Sequence, residues 1–345
     1  MRSSWRVLLC DELRVAVVGA GSWGTALAQV LCDNKQKVMM YDLNQKIVDD
    51  INNNHKNTQF FEKINLPEEL TATSNLKEAL KNTEYILLSV PTKVIRVVLQ
   101  DINRELNHPV TIINASKGIE PTTHKRVSEI VAEEISPEKL QAFVALSGPS
   151  HAEEVIERAL TSVTCASIVS GKAEEIQNLF KNNYFRVYRV DDLIGVEVGG
   201  SIKNVIALAA GIIAGLGYGD NAKAALITRG LVEIKRLGVA LGAKEETFSG
   251  LSGLGDLIVT CTSVHSRNWQ AGYKIGNGSN LQETLDSMTM VVEGVRTCQA
   301  TYELTKEINI EMPIVETIYQ VIFNKLNPND AITQLMQRET KPEFY

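Results

Sequence analysis

Close to its start the chain carries Gly19-Ala20-Gly21-Ser22-Trp23-Gly24, a GxGxxG set between a β-branched apolar run and a helix-like stretch. No other feature limits the fold as much. The spacing asks for a strand ending at the first glycine, a tight turn, and a helix that starts at once and packs on the sheet. Gly19 permits the turn, Gly21 leaves the backbone open to an approaching pyrophosphate, and Gly24 lets the helix lie close to the sheet. The helix N-terminus adds unpaired N–H groups and the positive end of a dipole. Asp42, 18 residues beyond Gly24, ends the next apolar run, where a carboxylate can accept the ribose hydroxyls of a bound dinucleotide. A flavin or another dinucleotide would satisfy the motif as well as a nicotinamide.

The rest of the first half repeats strand and helix. RVAVVGA from Arg14, KVMMYD to Asp42, EYILLSV to Val90, PVTIINA to Ala115 and QAFVALSG to Gly148 all read as strands, with TSVTCASIV and YFRVYRV as two more. Strands alternating with helical segments predict an α/β, Rossmann-like domain with a mainly parallel sheet. After Asp191 the texture changes. DLIGVEVGGSIKNVIALAAGIIAGL reads as one long helix, and four later segments look helical with no run that demands a strand. The predicted organisation is an N-terminal extension over 1–13, a dinucleotide-binding domain over 14–192 and an all-α domain over 193–345.

Composition narrows the function. Apolar residues make up 44% and charged residues 22% of the 345 positions, enough for a sizeable core. A net charge of −6 lacks the basic footprint of a nucleic-acid binder. Five cysteines with no CxxC spacing suit a reducing compartment. The opening segment is interrupted by Asp11 and Glu12, unlike a signal peptide, and the uncharged run Asn204–Gly219 is short for a membrane span. A cytoplasmic protein without integral membrane contact is expected.

Ligands of open α/β sheets bind beyond the carboxyl ends of the strands. Three segments fall there: Ser89-Val90-Pro91-Thr92, Asn114-Ala115-Ser116-Lys117-Gly118 and Ser147-Gly148-Pro149-Ser150-His151. Lys117 in such a crevice suits an anionic substrate. In the second half, Lys203 and Asn204 follow Gly199-Gly200 and open the uncharged run. A lysine there either snorkels to water or, partly desolvated, acts as a base. Gly250-Leu251-Ser252-Gly253-Leu254-Gly255-Asp256 reads as a glycine-rich loop with one carboxylate. Ser266 suits the cap of a helix whose first residues, Arg267 and Asn268, can hold a phosphate with the helix N-terminus. Val291-Val292-Glu293-Gly294 reads as a strand-like or loop segment. His151 and His265 have no partner visible in the sequence and are left without a role.

Taken together, these segments resemble one family, the bacterial-type NAD(P)-dependent glycerol-3-phosphate dehydrogenases. The resemblance runs from about Arg14 to Phe323. It rests on GAGSWGTALA at 19–28, ASKGIE at 115–120, LSGPSHAEEV at 146–155, GVEVGGSIKNVIALAAG at 195–211, NAKAALITRGLVEIKRLG at 221–238, GLSGLGDLIVTCT at 250–262, HSRN at 265–268 and VVEG at 291–294.

The resemblance implies reduction of dihydroxyacetone phosphate to sn-glycerol 3-phosphate for phospholipid synthesis, with Lys203 as the general acid/base. It implies a substrate site of Lys117, Gly148, Ser150, Lys203, Asn204, Asp256, Ser266, Arg267 and Asn268. It places Ser22, Trp23, Lys117, Ala152, Arg267, Val291 and Glu293 at the cofactor, beside the Gly19, Gly21, Gly24 and Asp42 already read from the motif, and a homodimer is expected. Two departures from the family pattern stand out. Met40-Tyr41-Asp42-Leu43 ends the second strand in an acid with no adjacent Arg or His, which favours NAD over NADP. Phe60-Phe61-Glu62-Lys63 replaces an aromatic followed by Pro-Gly. A related reductase of 2-keto or sugar acids, and a dinucleotide-sensing module without catalysis, are the competing readings. The phosphate-suited Arg267 and Asn268 oppose the first, and Lys203, Asp256 and Arg267 together oppose the second.

Overall fold

A computed structural model describes residues 14–288 and 291–343. The N-terminal extension, with Cys10, lies outside the described residues.

Among the described residues eight strands form one sheet: β1 Arg14–Val18, β2 Lys37–Tyr41, β3 Thr71–Thr73, β4 Tyr85–Leu88, β5 Val110–Asn114, β6 Leu140–Ser147, β7 Thr161–Ala166 and β8 Phe185–Val190. Seven α-helices among the described residues accompany them: α1 Ser22–Asp33, α2 Gln45–Asn54, α3 Leu76–Ala79, α4 Thr92–Glu105, α5 Val127–Glu134, α6 Ala152–Ile156 and α7 Lys172–Phe180. The strand order is β3-β2-β1-β4-β5-β6-β7-β8. All neighbours pair in parallel except β6 with β7. The predicted fold class is the observed one. β4 and β5 are buried along their whole length, as strands covered on both faces must be. The order reverses between β1 and β4, so their carboxyl ends open a crevice there.

The remaining helices are α8 Leu193–Gly215, α9 Asp220–Ala240, α10 Asp256–Thr262, α11 Arg267–Gly276, α12 Leu281–Asp286, α13 Glu293–Glu307, α14 Pro313–Phe323 and α15 Pro328–Met336. α8 is their axis. It is long and apolar enough to cross a membrane by length and composition, but 83% of its most apolar window is buried against other elements. Its glycines set the packing. A Cβ on Gly200 would sit 2.5 Å from Ser147 Oγ at the end of β6, and one on Gly199 would sit 2.6 Å from Ser252 O. The helical layer therefore closes directly on the strand ends.

Three local readings change. β3, three residues long, has too little pattern to register as a strand. Leu251–Gly255 is not a loop but a wide helical turn in which Gly255 N donates to Gly250 O at 3.1 Å. Asp256 then opens α10 with helical angles, φ −70° and ψ −31°. Val291 and Val292 precede a helix whose first residue is Glu293, so only half of that segment is loop. Cys32, Cys165, Cys261 and Cys298 are free and buried.

Candidate active site

A cavity of about 480 Å³ lies between the strand ends and the helical layer, with walls from both halves of the chain. The glycine turn forms one end. Gly19 adopts φ +105°, and its N–H donates to Tyr41 O at 2.9 Å. A Cβ on Gly24 would fall 2.0 Å from Gly19 O, which only glycine tolerates. Gly21 has nothing within 4 Å of where its Cβ would stand, and no side chain caps α1. Open space beside uncapped N–H groups fits the pyrophosphate of a dinucleotide. Asp42 ties this turn down: Oδ2 accepts Ala20 N at 2.8 Å and Oδ1 accepts Asn44 N at 2.9 Å. Each carboxylate oxygen keeps a second acceptor direction for a ribose hydroxyl. Trp23 lines the cavity beside Ser22, as do Ile47, Gln59 and Phe60.

At the other end, two lysines share one buried carboxylate. Asp256 is 1% exposed. Its Oδ2 accepts Lys117 Nζ at 2.8 Å, and its Oδ1 accepts Lys203 Nζ. Lys203 also donates to Thr260 Oγ1 at 2.9 Å, and Lys117 to Gly148 O at 3.1 Å. Burial pushes the Lys203 ammonium down to about 7; Asp256 pulls it upward and Lys117 pushes it further down. Burial raises the Asp256 carboxyl, but the charges of Lys117 and Lys203 outweigh it and hold the carboxyl below its ordinary range. Lys203 is thus a buried amine poised to exchange a proton near neutrality, with its Nζ held from two sides.

 Asn268 Nδ2 donates to Asn204 Oδ1 at 2.9 Å, and Asn268 Oδ1 accepts Gly294 N at 2.8 Å, so α8, α11 and α13 are fastened at one point. Ser266 caps α11, accepting Trp269 N at 3.3 Å. Arg267, the first residue of α11, reaches over the cavity and donates from Nη2 to Ser22 Oγ at 2.6 Å. Its fork therefore lies on the glycine-turn side, while Asn268 points back toward Asn204. Glu293 Oε1 accepts Thr92 N at 3.1 Å, and its Oε2 is buried without a protein partner.

Most of the residues singled out in the sequence reach the cavity wall, including Ser150, Ala152 and Val291. Gly24, Gly148 and Asp256 stand behind it. Gly24 packs the turn, Gly148 offers its carbonyl to Lys117, and Asp256 holds the two lysines. Sequence reasoning missed Thr260, although it lies one helical turn after Asp256 and so on the same face. It also gave no role to His151 and His265, which both line the cavity.

Known proteins resemble this chain over nearly its whole length. Residues 14–173 match the model of the NAD-dependent glycerol-3-phosphate dehydrogenase N-terminus, and residues 192–333 match that of its C-terminus. A glycerol-3-phosphate dehydrogenase [NAD(P)+] of Exiguobacterium sp. is 54% identical over 96% of this chain and 97% of its own length. One from Bacillus cytotoxicus is 55% identical over the same shares. The crystal structure of a glycerol-3-phosphate dehydrogenase from Coxiella burnetii superposes with a TM-score of 0.91 at 36% identity, covering 95% of this chain and 99% of that one.

Proposed function

The chain belongs to the NAD-dependent glycerol-3-phosphate dehydrogenase family, an NAD(P)-dependent oxidoreductase by that membership, and we propose that Lys203 is its general acid/base. The substrate pair is dihydroxyacetone phosphate and sn-glycerol 3-phosphate. The observation that carries the reading is the buried Lys203, brought to about 7 and fixed between Asp256 and Thr260 in the wall of the cavity.

A bound nicotinamide supplies or accepts the hydride. Gly19, Gly21, Ser22, Trp23 and the start of α1 would hold its pyrophosphate, and Asp42 its adenosine ribose. Glu293, Val291 and Ala152 line the same cavity and would position the rest. During reduction the Lys203 ammonium donates a proton to the C2 oxygen; during oxidation the neutral amine takes it back. Asp256 keeps Nζ in place in both directions. Lys117 adds a second positive charge toward the substrate, and Ser150, Asn204, Ser266, Arg267 and Asn268 complete the anion site. Arg267, bonded to Ser22, joins the substrate side to the cofactor side.

Asp42 favours NAD over NADP in this reading, because a carboxylate repels a 2′-phosphate and Leu43 beside it brings no positive charge. Supply of the glycerol backbone for phospholipid synthesis, a cytoplasmic location without integral membrane contact, and a homodimer belong to the same proposal. Following NADH absorbance with dihydroxyacetone phosphate and with unphosphorylated dihydroxyacetone tests it. The phosphate ester should be used far more efficiently; equal use of both would remove the anion site.

A further inference from the structure

Two histidines from different parts of the chain meet in the cavity wall. His151 lies between β6 and α6, and His265 immediately precedes Ser266 and Arg267. Their ring centroids are 6.1 Å apart at an interplanar angle of 59°. Two N–H···O contacts of about 2.9 Å to one shared anion can span such a gap. The walls around them already carry Lys117, Lys203 and Arg267.

His151 has one fixed partner. Its Nε2 lies 3.3 Å from Val259 O, a contact that requires the ring to donate from that nitrogen. A neutral imidazole has then spent its single N–H and offers only a lone pair at Nδ1. Protonation adds a second N–H without breaking the first bond. We propose that His151 and His265 form a second, protonation-dependent wall of the substrate site and donate to the phosphate of the bound triose. This rests on the phosphorylated substrate of the reading above and extends its anion site.

The charged surroundings set the direction. Burial is the largest influence on His151 and disfavours its charged form, and Lys203 on α8 acts in the same sense. The Val259 carbonyl on α10 and Glu153 and Glu154 on α6 favour the charged form. Arg267 at the start of α11 and His265 complete the facing groups. A phosphate dianion entering this space stabilises the imidazolium, so phosphate binding and proton uptake strengthen each other.

Proton NMR of the histidine C2–H signals reads this directly on the whole chain, which has five histidines. Signals are assigned from His151→Asn and His265→Asn, and each is titrated with and without inorganic phosphate. Both assigned imidazoles should titrate at higher pH with phosphate present; no movement of either overturns the proposal. In kinetics, His265→Asn should raise KM for dihydroxyacetone phosphate about fivefold near pH 6 and little near pH 8, with the effect on KM rather than kcat. His265→Lys, a permanent cation, should keep KM low at both. An equal KM increase at both pH values in His265→Asn, or none at either, contradicts the proposal. Absence of any turnover by the wild type would instead count against the function reading, and the phosphate titration would still decide the histidine wall.

Discussion

Lys117 and Lys203 are held on the two oxygens of a single buried carboxylate, Asp256, although they come from opposite halves of the chain. One lysine follows a strand of the sheet and the other sits inside α8. The carboxylate offsets part of their mutual repulsion, while the repulsion and the burial keep Lys203 easy to deprotonate.

Asp256→Asn removes the charge that pulls the Lys203 ammonium upward, leaving burial and Lys117 to push it lower. The ionisation seen in the oxidation rate should move to lower pH, and turnover should fall. Breaking a buried pair from one side also costs about 3–5 kcal/mol of stability. The pH–rate profile and thermal unfolding check the two effects separately. An unmoved profile would separate Asp256 from the proton transfer.

Cofactor choice follows from Asp42. kcat/KM with NADH should exceed that with NADPH, and Asp42→Ala should narrow the ratio. Since Asp42 also accepts Ala20 N, the same substitution should weaken NADH binding through the loosened turn. Steady-state kinetics with both cofactors measure this, and a strong NADPH preference in the wild type would contradict it.

Arg267→Lys keeps the charge but loses the planar fork that meets Ser22. Both the KM for dihydroxyacetone phosphate and that for NADH should rise, because in the proposed reading Arg267 serves the anion site as well as the Ser22 side of the cavity. A change confined to one substrate would assign Arg267 to that side alone.

A pH effect on stability is expected away from the site. Glu233 on α9 accepts Ile314 N at 2.7 Å and Val315 N at 3.2 Å at the start of α14. Burial pushes its carboxyl up to about 7, with the two amides opposing. A carboxyl raised on folding binds its proton more tightly in the folded state. Its contribution is therefore present below the ordinary carboxylate range and is lost as pH rises toward about 7. Relative to Glu233→Gln, the wild type should lose thermal stability between about pH 5 and pH 7. Parallel melting curves for the two proteins across that range would contradict it.

The parts of this architecture visible in the sequence are those with a local signature. β1, the glycine turn and α1 follow one another within a single motif, and α8 shows as an apolar run whose charged residues are Glu197 and Lys203. β3 is too short to show a period. The bonds that define the site are different in kind. Lys117 to Asp256, Arg267 to Ser22 and His151 to His265 join positions more than a hundred residues apart, and side-chain direction at that range is fixed only by packing. The glycine-rich segment before Asp256 illustrates the limit: its composition reads as a loop, whereas packing against Phe248 and α8 winds it into a wide helical turn.

The role of Lys203 is tested most directly by the pH dependence of kcat for sn-glycerol 3-phosphate oxidation in the wild type and in Lys203→Ala. The wild-type rate should rise with pH through an ionisation near about 7. Lys203→Ala should lose that ionisation and about a hundredfold or more in kcat, with NADH affinity little changed. A variant that keeps near-normal turnover and the same pH profile would contradict the assignment of Lys203 as the acid/base.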